Sequence, residues 1–393
     1  MKIRAIQTYK FSVPTGQSIR DPKTGELLSS TAKPWLFLKV ETDGDIIGWG
    51  EGSGEWLVPS VETTIHEWTE LIVGQDPLEV RRLCEDITDR LPWKGGPVFG
   101  TAIAAINMAL YDIAGKAWGV PVHTILGGKR RNRIRVYGGA TLFGSPKEAV
   151  KNARTILERG YGGVKGNPLE DRAWPLDYGA VEHATSCVAA LRNDLGPRFD
   201  ILLDAHGSPS PELSIEFARA VAPYRPLFLE EPLKVGSLEA LCHVSSKSPV
   251  PIAVGEKLFA LRDFIPLIDA RACAFLQPDV GHCFGISGLM DIARYAELSQ
   301  ILMAPHMAGG PIQYAAALHA DAAMNNFLIQ ESPMLDHFSA CAEHDWHVED
   351  GYLKLSASPG LGVAVKEQDL AEMEYQPLPF RQYRHEDGSW KGW

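Results

Sequence analysis

Six ionisable side chains in the second half of the chain each follow a short apolar run and recur at a nearly constant interval. They are Asp204, Glu230, Glu256, Asp279, His306 and Glu331, with spacings of 26, 26, 23, 27 and 25 residues. Each interval is close to the length of one strand–helix unit. Charges placed only for solubility would fall on helix faces and loops, so this spacing predicts strand ends on one face of a parallel barrel. Active sites of such barrels lie on that face.

The first three of these side chains are carboxylates on neighbouring strands. Asp204, Glu230 and Glu256, brought together in a partly dry site, would repel one another unless a cation neutralised them. A site built only from oxygen ligands suits Mg²⁺, and Mn²⁺ could replace it. Glu231 follows Glu230 directly, but adjacent strand residues point to opposite faces, so only one of the two can face the barrel interior.

Asp279 and His306 stand at the ends of the next two strands and are expected to lie side by side. A carboxylate hydrogen-bonded to an imidazole fixes its tautomer and raises its basicity, which makes His306 a candidate general base. His206, two residues beyond Asp204, is a candidate second acid or base. A divalent metal with two histidines suits removal of the proton next to a carboxylate, because the metal stabilises the enediolate that forms. A hydroxyl on the following carbon could then leave as water.

Three further side chains are candidates for substrate contact. Lys165, at the end of the second strand, either supplies positive charge to a carboxylate or extends its ammonium to solvent. Asn167 shares its side of the strand and could bind a hydroxyl. His282 is either a loop residue or a substrate contact. Cys283, beside it, has no base placed to activate it as a nucleophile.

The elements that must position these groups begin with eight short apolar runs, each followed by turn residues and a helical pattern. The runs cover 135–140, 162–167, 201–206, 227–232, 252–257, 274–279, 301–306 and 327–331. Residues 1 to about 55 instead have the pattern of β-strands, with a hairpin turn at "TDGD". Helical spacing follows at 61–92 and 97–118. A long polar loop over 14–34 separates the first two strands.

Bulk composition narrows the class of protein. The chain has 393 residues, 45% hydrophobic and 22% charged, with a formal net charge of −11, which is typical of a globular protein with more than one structural region. The negative charge argues against binding to nucleic acid, which needs a basic face. The six cysteines lack metal-site spacing and favour reduced thiols. No signal peptide and no run of roughly 20 uncharged apolar residues is apparent, so a cytoplasmic protein without a membrane partner is expected.

Several motifs resemble those of the enolase superfamily, in its mandelate racemase subgroup, over essentially the whole chain. "LLDAHG", "FLEEP" and "VGEK" are similar to its three metal-ligand strands, and "LQPDVGH" with "MAPHMAGGPI" is similar to its Asp–His pair. The segment "AINMALYDIAGKAWGVPVHTILGG" is similar to its capping region. The resemblance implies an α/β protein, a modified TIM barrel (β/α)7β with an N-terminal α+β capping domain. We expect the cap over residues 1–125, the barrel over 126–345, and a C-terminal segment over 346–393 that returns to the cap.

The resemblance also implies roles for individual residues. Glu230, rather than Glu231, is implied as the metal ligand, and Glu331 matches an acidic group near the substrate carboxylate. Within the subgroup the likeness is to galactonate dehydratases, on motifs such as "APYRPLFLEEP" and "RHEDGSWKGW". Asn167 stands where mandelate racemases have a second lysine, so elimination fits better than racemisation.

That likeness implies dehydration of a sugar acid such as galactonate. His306, oriented by Asp279, takes the proton from carbon 2, and His206 protonates the departing 3-hydroxyl. The product is a 2-keto-3-deoxy acid. The two histidine roles could be exchanged, since each depends on the stereochemistry of the substrate.

Cap loops of this superfamily close over the barrel mouth and contact the distal part of the substrate. Such contacts are predicted for six residues: Arg20, Asp21, Lys23, Trp35, Trp49 and Glu51. The 14–34 loop is longer than in galactonate dehydratases, which leaves the identity of the sugar acid open. Two other functions also stay open: a cycloisomerase or epimerase that uses the same enediolate, and a catalytically weak binding or sensor protein. A homo-oligomer is expected from the resemblance alone.

Overall fold

The amino-terminal part of the protein is an antiparallel sheet with helices packed on it. A computed structural model describes residues 1–15, 19–20, 27–29, 32–169, 174–379, 384–385 and 387–389. The first strands are β1 (Ile3–Pro14), β2 (Ile19–Arg20), β3 (Leu27–Ser29), β4 (Ala32–Thr42) and β5 (Ile47–Glu51). The sheet has the order β1–β4–β5, and the turn between β4 and β5 falls at the predicted "TDGD". β2 and β3 pair with each other inside the region predicted as a loop.

The helices of this part of the described chain pack around one long central helix. They are α1 (Val58–Glu67), α2 (Thr69–Ile72), α3 (Val80–Arg90), α4 (Gly96–Trp118) and α5 (Val122–Ile125), with a 3₁₀ turn at Glu55–Leu57 before α1. The helical pattern predicted over 61–92 is interrupted near Gly74, which has a φ of +85°. Gly50 of β5 lets α4 approach closely, because a Cβ there would lie 1.9 Å from the Ala105 carbonyl oxygen.

Helix α4, which carries Asp112 and Lys116, is by length and composition alone apolar enough to cross a membrane. In the structure, 94% of its most apolar window is buried within the protein. The helix is therefore accounted for as the core helix of the cap.

The second part of the chain alternates strands and helices in a barrel. Its strands are β6 (Arg133–Gly139), β7 (Gly163–Gly166), β8 (Asp200–Asp204), β9 (Phe228–Glu230), β10 (Ile252–Val254), β11 (Phe275–Leu276), β12 (Leu302–Met303) and β13 (Gln330–Ser332). Its helices are α6 (Pro146–Glu158), α7 (Tyr178–Leu195), α8 (Pro211–Val221), α9 (Leu238–Lys247), α10 (Leu261–Asp269), α11 (Gly285–Leu298) and α12 (Pro311–Ala323), and 3₁₀ helices lie at Ala222–Tyr224 and Leu335–Ala340. Within the described residues this is the predicted (β/α)7β order, which confirms the fold class.

The barrel closes through its first and last strands. Neighbouring strands from β6 to β12 pair in chain order, β13 pairs in parallel with β6, and a bridge between Met303 and Phe327 completes the ring. One layer of buried side chains fills the interior: Tyr137, Leu202, Phe228, Ala253, Ala304 and Ile329. Because the interior is packed, polar groups beyond the strand ends can meet only at the mouth.

Several barrel helices begin at side-chain caps, which fix where each helix leaves its loop. Ser145 and Glu148 form a capping box at α6, and Asp177, Ser210 and Ser237 accept backbone N–H groups at α7, α8 and α9. Helix α12 differs, because its N-cap is Gly310 and it has no side-chain cap of its own.

The C-terminal segment contacts both parts of the protein. It contains β14 (Ala342–Glu343), β15 (Val348–Glu349), β16 (Tyr352–Lys354), β17 (Ala364–Val365) and α13 (Glu367–Glu372). β16 pairs antiparallel with β6, and the Ser12 N–H donates to the Glu374 carbonyl at 3.0 Å. Lys39 of β4 donates to Glu367 at 2.6 Å. We propose that the boundary between cap and barrel lies between α5 and β6.

Candidate active site

The barrel mouth and the cap enclose a cavity of about 410 Å³. Its barrel side includes seven of the predicted site residues: Lys165, Asp204, His206, Glu256, His282, His306 and Glu331. Its cap side includes residues 54–57, Pro97 and Thr101. Four of the six strand-end residues singled out by their spacing therefore line one cavity beneath a cap loop, and the other two, Glu230 and Asp279, contact Lys165 and His306 of that lining.

Two of the predicted metal ligands lie on adjacent strands around a lysine. Asp204 and Glu230 are register partners of β8 and β9. The Lys165 ammonium lies 2.7 Å from Glu230 Oε1, 3.1 Å from Glu331 Oε2 and 3.7 Å from Asp204 Oδ2. Burial raises the pKa of Glu230 to about 8, and the neighbouring carboxylates add to this against the opposing effect of Lys165. One ammonium thus leaves the group with excess negative charge.

The donor set fits a small divalent cation by the chemical type and the charge of its side chains. Asp204, Glu230 and Glu256 offer only oxygen atoms from three successive strand ends, as Mg²⁺ and Mn²⁺ prefer. Among the described residues, no group of three His, Cys, Asp or Glu side chains stands in a ligating arrangement in this structure. Lys165 and Gln277 instead donate to the two oxygens of Glu230, each at 2.7 Å. A cation would therefore replace part of this pairing.

Asp279 and His306 form the predicted pair. His306 Nδ1 lies 2.7 Å from Asp279 Oδ2, and Nε2 lies 3.5 Å from Glu256 Oε2. Burial would raise the pKa of Asp279, but His282 and His306 outweigh it and lower the pKa to about 2. The carboxylate is thus ionised and holds the imidazole so that Nε2 is directed to the cavity side.

His206 lies directly beyond β8 in a left-handed conformation, with a φ of +52°. Its backbone N–H donates to Asp204 Oδ1 at 2.8 Å, and its Nε2 lies 3.0 Å from Asp204 Oδ2. Burial would raise the pKa of Asp204, but His206 and Lys165 outweigh it and lower the pKa. The turn that ends the strand therefore brings both side chains to the cavity together.

His282 reaches the cavity with help from the cap. Its Nδ1 lies 2.8 Å from the Thr101 hydroxyl of α4, and both residues line the cavity. A Cβ on Gly100 would lie 2.4 Å from the His282 carbonyl oxygen, so the helix and the loop are in close contact. Thr101 was not predicted from the sequence, because its role depends on how the cap docks on the barrel.

Sequence reasoning also missed Lys257 and Gln277. Lys257 lines the cavity and lies 3.2 Å from Glu231 Oε2 and 3.4 Å from Glu256 Oε1. Glu231, with a φ of +45°, pairs with Lys257, whereas Glu230 pairs with Lys165. Both missed residues had a usable signal: Lys257 follows a predicted ligand, and Gln277 precedes Asp279 by two positions and shares its side of the chain.

Three predicted substrate contacts do not reach the cavity. Asn167 is buried, and its Oδ1 accepts the Leu169 N–H at 3.0 Å. The Trp49 side chain is 7% exposed and its ring lies 5.8 Å from the Tyr9 ring, and Trp35 is 2% exposed with its ring 5.7 Å from the Phe338 ring. None of the three lines the cavity, because their strands and turns direct the side chains into packed regions, so their contact with substrate stays a prediction.

Two other cap predictions have different outcomes. The Arg20 side chain and most of the 14–34 loop lie outside the described residues. Glu51 is fully buried and faces the barrel, but its carboxylate contacts backbone amides of residues 310–313 rather than the cavity.

Comparison with known proteins identifies the family. Residues 8–127 match the mandelate racemase / muconate lactonizing enzyme N-terminal domain, and residues 148–369 match the enolase C-terminal domain-like family. The chain belongs to the mandelate racemase/muconate lactonizing enzyme family of the enolase superfamily. This confirms the resemblance noted in the sequence.

Curated relatives and solved structures agree with this assignment. A D-galactonate dehydratase of Variovorax paradoxus is 36% identical over 375 residues, covering 92% of this chain and 97% of that protein. One of Ralstonia nicotianae is 36% identical over 372 residues, covering 91% and 96%. Such identity over nearly the whole length makes the chain a lyase of the dehydratase type.

The structural neighbours include further candidate dehydratases. A structure from Agrobacterium radiobacter, a candidate galactarate dehydratase with bound sodium and L-malate, has a TM-score of 0.88 at 26% identity and covers 99% of both chains. A candidate dehydratase from Salmonella enterica has a TM-score of 0.85 at 28% identity, covering 97% of this chain and 99% of that one.

Proposed function

We propose that the protein removes the proton from carbon 2 of a sugar acid and eliminates the 3-hydroxyl as water, giving a 2-keto-3-deoxy acid. Galactonate is the first substrate to test, because two relatives with that activity in their names align over nearly the whole chain. Galactarate is the second, from the name of a structural neighbour.

The observation that carries this proposal is the placement of two histidines and three carboxyl-bearing strand ends around one cavity. His306 Nε2 is the proposed acceptor of the carbon 2 proton, since Nδ1 is held by Asp279. His206 is the proposed donor to the 3-hydroxyl, which leaves as water while a double bond forms between carbons 2 and 3. The resulting enol tautomerises to the keto acid. The two histidine roles exchange for a substrate of opposite stereochemistry.

Asp204, Glu230 and Glu256 are the proposed ligands of Mg²⁺, with Mn²⁺ as a substitute. When bound, the ion supplies positive charge that stabilises the substrate carboxylate as its neighbouring proton leaves. Lys165 adds a second positive charge, and Glu331 lies beside it at 3.1 Å, so both are proposed to face the carboxylate end of the substrate.

The pKa of His306 depends on the charges of the side chains around it. Burial lowers the pKa of His306, but Glu256, the hydrogen bond to Asp279 and Glu331 outweigh it and raise the pKa to about 10. A base must be neutral to accept a proton. Positive charge beside Glu256 opposes the largest of the raising effects and so favours the neutral imidazole.

Proton NMR of the enzyme with Mg²⁺ in D₂O tests the proposal, using galactonate, galactarate and a panel of five- and six-carbon aldonates and aldarates. A 2-keto-3-deoxy product supports it and identifies the substrate. Deuterium at carbon 2 without loss of water shows proton removal without elimination and favours an epimerase or cycloisomerase. Neither reaction nor exchange across the panel, with Mg²⁺ bound, overturns dehydration of these acids and favours a binding role.

Location and assembly are proposals of a coarser kind. Cytoplasmic location is proposed because the six cysteines lack the spacing of a disulfide framework or of a metal site. A homo-oligomer is proposed from the family alone, and size-exclusion chromatography with light scattering tests it.

A further inference from the structure

Glu51 lies at the end of cap strand β5, yet its carboxylate bonds to the start of a barrel helix. Oε2 accepts the N–H groups of Ile312 and Gln313 at 3.2 and 3.0 Å, and Oε1 accepts the Gly310 N–H and the Ser53 hydroxyl. These amides are N-cap, N2 and N3 of α12, which has no side-chain cap of its own. A carboxylate there satisfies otherwise unpaired donors and complements the positive helix end.

Gln313 links this cap to the proposed base. Its backbone N–H bonds to Glu51, and its side-chain Nε2 donates to Asp279 Oδ1 at 2.6 Å. The side chain is fully buried and lies between two glycines. A Cβ on Gly281 would lie 2.3 Å from its amide, and one on Gly309 would lie 2.0 Å from its Oε1. The amide therefore has room for one position.

Asp279 is held on both oxygens. Oδ1 accepts Gln313 Nε2 and the Gly281 N–H, the latter at 2.7 Å, and Oδ2 faces His306 Nδ1. A carboxylate fixed in this way cannot rotate without breaking several hydrogen bonds. The orientation of the imidazole therefore depends on an unbroken chain of contacts that starts in the cap.

We propose that Glu51 and Gln313 are positioning residues for the Asp279–His306 pair, so that docking of the cap sets the direction of the proposed base. Neither residue lines the cavity, and neither is proposed to touch the substrate. The expected effect on kcat rests on the proposed function, whereas the expected effect on the orientation of His306 does not. If Glu51 and Gln313 only stabilised the fold, replacing them would lower stability without changing the hydrogen bond between His306 Nδ1 and Asp279.

The test compares Gln313→Met and Glu51→Gln, which keep side-chain size but remove one hydrogen-bonding function. Each should lower kcat by roughly 10- to 100-fold, the usual loss when an outer hydrogen-bonding partner is removed, with KM changed less than about 3-fold, since substrate contacts are intact. In substrate-free enzyme, the downfield proton signal of His306 Nδ1–H should weaken or broaden. That spectrum needs no turnover, so it tests the orientation of His306 even if none of the sugar acids in the panel is a substrate.

Asn326→Leu is the matched control. It deletes a buried amide that donates to the Ala293 and Ile301 carbonyls near the start of β12, so it should lower stability while leaving kcat and the downfield signal unchanged. If Gln313→Met does not fold, Gln313→Asn keeps an amide that is one methylene too short and is read in the same way. An unchanged downfield signal in folded Glu51 and Gln313 variants overturns the proposal, as does a rise in KM with kcat preserved.

Discussion

Replacing His306 with glutamine removes the proposed base while keeping a polar side chain of similar length. We expect deuterium exchange at carbon 2 and dehydration to fall together by about 10²- to 10⁴-fold, the usual contribution of a general base. NMR in D₂O measures both rates on one sample. His243→Gln, on the exposed face of α9, is the control and should keep full activity. Exchange that survives in the His306 variant would assign the proton to His206 instead.

The Lys165 ammonium lies beside buried carboxylates of the proposed metal site and offsets part of their charge. Lys165→Met leaves Glu230 and Glu331 without this partner, and breaking a buried pair costs about 3–5 kcal/mol. A cation bound at Glu230 would replace the lost charge. We therefore expect the variant's unfolding temperature to fall further below that of wild type in EDTA than in saturating Mg²⁺.

Lys116→Met provides the comparison for that experiment. Lys116 is partly exposed and lies 2.6 Å from Asp112, a buried carboxylate of α4, so this pair lies in the cap and away from the proposed metal site. Lys116→Met should therefore lower the unfolding temperature by the same amount in EDTA and in saturating Mg²⁺. If Lys165→Met lowers the unfolding temperature by the same amount in EDTA and in saturating Mg²⁺, the metal does not lie beside Glu230.

At the scale of elements, strand ends were predictable and docked surfaces were not. A buried strand ending in an ionisable residue leaves a local signal, so Asp204, Asp279 and His306 could be found by spacing alone. Thr101 reaches the cavity because α4 packs against the loop after β11, and no local pattern encodes that contact. Trp49 lies away from the cavity for a different reason, since its strand register in the cap decides which face it occupies.

Helix α12 joins the barrel to the cap through a buried histidine pair as well. His319 Nδ1 accepts the His123 N–H of α5 at 3.2 Å, and its Nε2 lies 3.2 Å from the Leu361 carbonyl. Burial, with a contribution from His123, lowers the pKa of His319 to about 4. The unfolded chain, with a pKa of about 6.5, therefore binds this proton first, and stability should fall as the pH drops from 6.5 towards 4.

His319→Gln tests this dependence through thermal or urea unfolding at pH 7.5 and pH 5.0. The variant has no such group, so the stability advantage of wild type should be smaller at pH 5.0 by about 2 kcal/mol, from 1.5 pH units at 1.36 kcal/mol each. Asn326→Leu, whose side chain does not titrate, should show the same deficit at both pH values. A wild-type advantage that grows at pH 5.0 would mean that His319 is charged in the folded protein.

At the scale of the whole molecule, the barrel and the cap line the cavity, and the C-terminal segment packs behind the cap wall. Barrel strand ends supply the ionisable groups, cap residues 54–57 form the opposite wall, and the C-terminal segment lies behind that wall. Trp56 marks the contact, because its indole N–H donates to the Pro379 carbonyl at 3.0 Å. The reacting groups and the wall formed by residues 54–57 therefore lie on different parts of the chain, so this wall can be changed without replacing a reacting group.

Trp56→Phe changes this wall alone. It keeps an aromatic side chain in the wall but removes the N–H that bonds the cap loop to the C-terminal segment. Loss of one hydrogen bond of about 1 kcal/mol should raise KM for the sugar acid by roughly 5-fold and leave kcat within about 2-fold, since uniform binding is lost and the reacting groups are untouched. Trp118→Phe, at an exposed position at the end of α4, should alter neither. Steady-state kinetics decide the matter: a lower kcat with KM unchanged would show that the cap loop acts on the chemical step itself.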